Sequence, residues 1–137
     1  MSDWLAQKQK IIEAFRANNG IVTWWPDPLI LLTTTGAKSG QPRTTPVSYS
    51  TDGDRLVIAA TKGGAPTNPA WYYNLLANPI VTVELGDERF QARATVVSDE
   101  AERQRLYARH AELMPVFAGY PQKTARRIPV IVLERLR

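Results

Sequence analysis

The sequence predicts an α+β chain that is mainly β: a small barrel of about six mostly antiparallel strands with helices packed outside. Three observations carry this. Six short runs, apolar or alternating, are joined for the most part by tight turns, which pairs sequence neighbours antiparallel. Helical signals occur only at the start, in the middle and before the last strand. Finally, 137 residues supply one core and not two, and six strands in so small a body leave exposed edges unless the sheet closes on itself.

Taken in order, Ser2 or Asp3 caps a helix running to about Asn18, with Trp4, Ile11, Ile12 and Phe15 on one face. Asn19 and Gly20 supply its left-handed stop. In "TWWPDP", Pro26 and Pro28 forbid helix. "LILLTTT" reads as a buried strand, "GAKSGQP" as a turn, and "RTTPVSYS" as a second strand interrupted by Pro46. "TDGD" is a hairpin turn into "RLVIAAT". Asn68 and Pro69 take the N-cap and first-turn positions of a short helix through about Ala77, and Pro79 stops it. "IVTVEL", the turn "GDE" and "RFQARATVV" form a hairpin whose second arm alternates cleanly. Ser98 caps a further helix of about 15 residues carrying Leu106, Tyr107 and His110, with the histidine expected at the surface. A mixed loop with Met114, Phe117, Tyr120 and Pro121 leads to the closing strand "RIPVIVLERL". The whole, 1–137, is one domain: 1–28 is helix and linker, and 29–137 is the barrel.

Composition narrows the chemistry. Apolar residues make up 44% and charged residues 22%, the profile of a folded domain. The absence of cysteine excludes disulfides, thiolate catalysis and zinc-thiolate sites. A single histidine, His110, argues against a histidine-rich metal site or a Ser-His-Asp triad, and no metal is expected. No run of about 20 apolar residues is present, and "MSDWLAQKQK" lacks a signal peptide's apolar centre, so a cytoplasmic setting is expected. Charge is uneven. Residues 1–100 carry nine basic and ten acidic side chains, whereas 101–137 carry eight and three. That surplus fits either a solvated basic face or attraction for an anionic ligand or surface. Nucleic acid is not expected, because no zinc-finger spacing, RNP-type motif or helix-turn-helix is found.

The residues that carry chemistry sit in two loops. In "TKGGAPTNPAWYYN", two glycines allow several backbone N–H groups to aim at one point, Lys62 adds charge, and Thr61 adds a hydroxyl. Alone, Lys-Gly-Gly after a strand is an ordinary turn. The loop "TTTGAKSGQPR" changes its weight, since it again follows a strand and brings Lys38, Ser39 and Arg43 together with two glycines. It is not a nucleotide-triphosphate loop, because a strand follows it and no acidic residue is placed for magnesium. Two cationic loops at the ends of neighbouring strands point to one long anionic ligand. Pro46 removes a ladder donor, which places it at an edge or bulge that something else can approach.

From "LLTTTGAKSGQPR" through "AATKGG", "NPAWYYNL" and "ANP", the sequence resembles the deazaflavin-dependent nitroreductase family, reductases of actinobacteria that use coenzyme F420. The resemblance runs from about residue 29 to 135, and its combined motifs are specific although each is common. It implies a split β-barrel of the flavin-reductase type. It also implies an F420-dependent oxidoreductase that passes a hydride from the reduced coenzyme to a small electron-poor acceptor: a quinone, an activated enone or a nitro compound. By the same resemblance the deazaflavin ring lies against Pro46, Val47, Ala59 and Ala60. The phosphate and glutamyl tail meet Lys38, Ser39, Arg43, Thr61, Lys62, Gly63 and Gly64, with Trp71 and Asn74 in support. Tyr120 is the candidate proton donor, and Ser48 borders the acceptor pocket.

Three positions depart from the family pattern. Ala37 replaces a basic residue, Ser48 stands where some members carry an aromatic, and Tyr120 alone remains of several tyrosines before the last strand. Trp24 and Trp25 either cover the acceptor side or anchor their loop. The "KQK" face of the first helix leaves peripheral membrane contact open, and a homodimer is also left open. Two other readings stand beside the reductase: a non-catalytic split-barrel carrier of a cofactor or lipid, and an FMN-dependent oxidoreductase.

Overall fold

A computed structural model describes residues 2–136, with side chains from Trp4 to Leu136. The element order is α1 (Ser2–Ala17), β1 (Leu29–Thr35), β2 (Pro42–Ser48), β3 (Ser50–Asp52), β4 (Arg55–Ala59), α2 (Ala70–Ala77), β5 (Ile80–Leu85), β6 (Glu88–Val96), α3 (Glu100–Leu113) and β7 (Val130–Arg135). Short 3-10 segments occupy Lys62–Gly64 and Pro115–Gln122. The strands form one antiparallel sheet in the order β2-β1-β5-β6-β7-β4-β3. Its two outer strands are consecutive in the chain, separated only by Tyr49, whose N–H donates to Pro28 O. The chain therefore leaves β1 and joins β4 within one residue, curling the sheet into a split barrel. That switch is why "RTTPVSYS" becomes two strands and the count is seven. Pro46 lies on outer strand β2, where its missing N–H breaks no ladder on the far side.

Three apolar clusters explain the sequence runs. Alternate residues of β1, β4 and β7 (Ile30, Leu32, Leu56, Ile58, Ile131, Leu133) meet Trp71 and Leu75 of α2. On the other face of β4 and β7, Val57, Ala59, Val130 and Val132 pack on Leu106, Tyr107, Met114 and Phe117. Leu29 and Leu31 meet Ile11, Ile12 and Phe15 of α1. These strands bury both faces, so they read as unbroken apolar runs, whereas β6 has one exposed face and alternates.

Local signals held with a few shifts. The α1 stop is as expected: Asn19 has φ 51° and Gly20 φ 88°. A Cβ on Gly20 would stand 2.7 Å from the Gly86 Cα, so helix end and β5–β6 turn touch through glycine. The Ser2 or Asp3 cap falls on side chains outside the described ones. Asp99, not Ser98, caps α3, its Oδ2 accepting from Glu102 N–H at 2.9 Å. Pro69, not Asn68, is the N-cap residue of α2, because the Asn68 side-chain oxygen accepts from Arg126 Nη1 at 2.6 Å instead. The mixed loop is a 3-10 segment. His110 is fully buried rather than at the surface. Trp4 does not share the packing of Ile11, Ile12 and Phe15, and remains 48% exposed.

Candidate active site

Two adjoining hollows of about 700 Å³ and 640 Å³ open beside β2 and α2. The larger takes Pro46, Val47 and Ser48 from β2, Ala59 from β4, Thr61, Lys62 and Gly63 from the following loop, and Phe117 and Tyr120 from the 3-10 segment. The smaller takes Lys38 and Ser39 from the β1–β2 loop, Arg43 from β2 and Asn74 from α2. Trp71, Ala70, Thr45 and Lys8 belong to both. Of the expected cofactor residues, Ala60 and Gly64 are buried and lie on neither wall. Gly64 instead gives close passage: at φ 82°, a Cβ there would sit 2.8 Å from the Lys123 Cβ.

The two loops do not meet because their strands are neighbours. In the sheet, β5, β6 and β7 stand between β1 and β4. Helix α2 joins them. The Asn74 Oδ1 accepts the Ala37 N–H at 2.9 Å while its Nδ2 donates to Thr34 Oγ1 at 3.1 Å, fastening the first loop to the helix. The second loop runs into the helix N-terminus.

Arg126 holds that second loop, and nothing in the sequence patterns singled it out. Its Nη2 donates to the carbonyls of Ala60 (3.1 Å) and Thr61 (2.8 Å), its Nε to Ala65 O (2.9 Å), and its Nη1 to Asn68. Only a planar five-donor group spans four acceptors in this way. With those carbonyls committed, Thr61, Lys62 and Gly63 present the rest of the loop to the cavity. Lys62 has φ 47°, Gly63 φ 64° and Gly64 φ 82°, three positive-φ residues in succession. Lys62 Nζ donates to Thr67 Oγ1 at 3.2 Å.

The apolar side is equally supported. Tyr107 OH donates to Phe117 O at 2.6 Å, and burial pushes this phenol up to about 12. Phe117 stacks edge-on with His110 (4.4 Å between centroids) and with Tyr120 (5.3 Å). His110 Nδ1 and Ser50 Oγ are 2.7 Å apart, and burial lowers the imidazole to about 4. On the opposite wall, Trp25 Nε1 donates to Ser48 Oγ at 3.1 Å. Trp25 thus lines the cavity, and the Ser48 hydroxyl serves it as an acceptor, while Trp24 stays exposed.

Arginines 16, 55, 103, 105, 127 and 135 pair with carboxylates, which takes up four of the eight basic residues of 101–137. The ion pairs among the described residues include none of Lys8, Lys38, Arg43 and Lys62, the four cations on the cavity walls. No group of three potential metal-ligating side chains occurs among the described residues. An apolar hollow continued by a cationic one suits a ligand with a flat ring at one end and anionic oxygens along the other.

Comparison with known proteins points the same way. Residues 7–135 match the family described as F420H(2)-dependent quinone reductase. The F420H(2)-dependent quinone reductase of Mycobacterium tuberculosis is 43% identical over 113 residues, covering 79% of this chain and 74% of that protein. A solved structure of an F420-H2 dependent reductase (FDR-A) is 40% identical with a TM-score of 0.71, covering 78% of this chain and 94% of that one. Another, described as a domain-swapped dimer, is 35% identical with a TM-score of 0.73 and covers 97% and 98%.

Proposed function

The chain belongs to the F420H(2)-dependent quinone reductase family, and from that premise we propose that it reduces a quinone or similarly electron-poor small molecule in the cavity bounded by Pro46, Ala59, Phe117 and Tyr120. The observation that carries this reading is the pairing of an apolar hollow with a second hollow whose cations have no carboxylate partners among the described residues. When bound, the reduced deazaflavin supplies the hydride. Everything else falls to this chain. Pro46, Val47 and Ala59 offer a smooth apolar wall for a ring. Thr61, Lys62 and Gly63, with Lys38, Ser39 and Arg43, receive its phosphate and the carboxylates further along. Trp71 and Asn74 keep the two halves in register. Trp25 and Phe117 exclude water from the acceptor side, and the Tyr120 hydroxyl holds a proton for the acceptor oxygen.

Enones and nitro compounds fit the same cavity as further acceptors. A role for α1 at a lipid surface is not part of this reading, since Ile11, Ile12 and Phe15 are already buried against β1. No helix among the described residues is long and apolar enough to cross a membrane. Self-association is part of it, by analogy with the solved relative described as a domain-swapped dimer. Light scattering after size exclusion tests that point.

Two measurements test the function. A fluorescence titration compares oxidised coenzyme F420 with FMN, and tighter binding of FMN supports the flavin alternative. Mixing protein, reduced coenzyme and menadione without oxygen then follows the return of oxidised-coenzyme absorbance. Tight coenzyme binding with no acceptor-dependent oxidation identifies a carrier.

A further inference from the structure

We propose that Lys8 of α1 and Arg43 of β2 together bind an anionic oxygen of the coenzyme where the two cavities join, which makes the N-terminal helix part of the coenzyme site. This rests on the functional reading above, which assigns a long anionic coenzyme to those cavities.

Lys8 is the α1 residue that belongs to both hollows, and it also borders a third, of about 440 Å³, with Leu5, Gln9 and Arg16. Its side chain is half-buried. Burial first, and the charge of Arg43 second, hold its ammonium below the ordinary lysine value. Two like charges on the wall of one cavity, one of them partly out of water, oppose folding unless a counter-charge arrives. Six arginines elsewhere have carboxylates for that purpose, and these two have none among the described ion pairs. Asp27, also on the larger cavity's wall, is in none of those pairs either. An incoming oxyanion resolves the conflict. It also secures a helix that is packed on one half only: Ile11, Ile12 and Phe15 are buried, while Leu5 is 65% exposed.

The test uses the full chain with Lys8→Ala and Lys8→Arg. Fluorescence titration with oxidised coenzyme is expected to give about tenfold weaker binding for Lys8→Ala and near-normal binding for Lys8→Arg. Without coenzyme, Lys8→Ala is expected to melt no lower than the unaltered chain, because removing an unpaired cation relieves repulsion. A residue that merely packs would lower the melt. Coenzyme is expected to slow amide exchange in the first turns of α1, and less so in Lys8→Ala. Repeating the titration without the glutamates separates the sources. A persisting Lys8 effect assigns the phosphate, and a vanished one assigns a glutamate carboxylate. Equal affinity of the unaltered chain and Lys8→Ala overturns this proposal alone. Failure of the unaltered chain to bind coenzyme overturns the functional reading and this proposal with it.

Discussion

Lys62 occupies a backbone conformation that a side chain resists, with φ 47°, and a left-handed non-glycine residue costs about 1 kcal/mol or more. The cost sits where the ammonium is wanted, on the cavity wall. Lys62→Gly is therefore expected to leave thermal stability equal or slightly raised while weakening coenzyme binding. Because Lys62 is exposed, the loss is expected to be a few-fold to about tenfold, measured by titration at low salt. His110 works through stability. Burial lowers its pKa from 6.5 to about 4, so the unfolded chain takes up a proton that the folded chain refuses. Stability is then complete above about pH 6.5 and is lost as pH falls from there toward 4, by at most about 3 kcal/mol. Urea melts at pH 7 and pH 5 check this. His110→Gln is expected to flatten the difference. The one sequence signal for the burial was spacing, since His110 lies four and three residues after the buried Leu106 and Tyr107; its partners Phe117 and Ser50 meet it only in three dimensions.

At the scale of elements, the loop Thr61–Ala65 and the helix α2 depend on a residue about 60 positions away. Arg126→Ala is expected to lower stability by about 2 kcal/mol, because four hydrogen bonds from one guanidinium vanish and buried carbonyls lose their donor. Coenzyme affinity falls with it, and Arg126→Lys is expected to rescue neither fully, as one ammonium cannot span four acceptors. Denaturant melts and titration on both variants check this. The hairpins and the loop chemistry were readable locally, whereas the expectation that the strands before the two loops are neighbours failed. The apolar runs "LILL" and "VIVL" and the alternating "RFQARATV" marked which strands bury two faces and which bury one. Glycine, lysine and Asn-Pro marked the two loops. What could not be read was long-range geometry. Arg126 and Lys8 carry no local signature, and the cap of α2 moved because a distant arginine took the Asn68 oxygen. Tyr49 likewise looked like one more strand residue, although it is where the chain changes partners.

On the scale of the whole molecule, Lys8, Lys38, Arg43 and Lys62, absent from the described ion pairs, line one continuous groove. If that groove tracks an oligoglutamate tail, coenzyme affinity is expected to fall as ionic strength rises, since screening acts most on exposed charges. A coenzyme without glutamates is expected to bind more weakly and with a shallower salt dependence. Calorimetry of both forms at low and high salt checks this, and parallel slopes with equal affinities place the tail in free solvent. The sheet order has a different consequence. Strand β7 is the last to be made, yet it lies between β6 and β4, paired through Ala94–Leu133 on one side and Val57–Val132 on the other. During synthesis every earlier strand leaves the ribosome while that central slot stands empty. Two strand edges then wait for their common partner, so the nascent chain is most open to wrong pairing in the interval before β7 emerges.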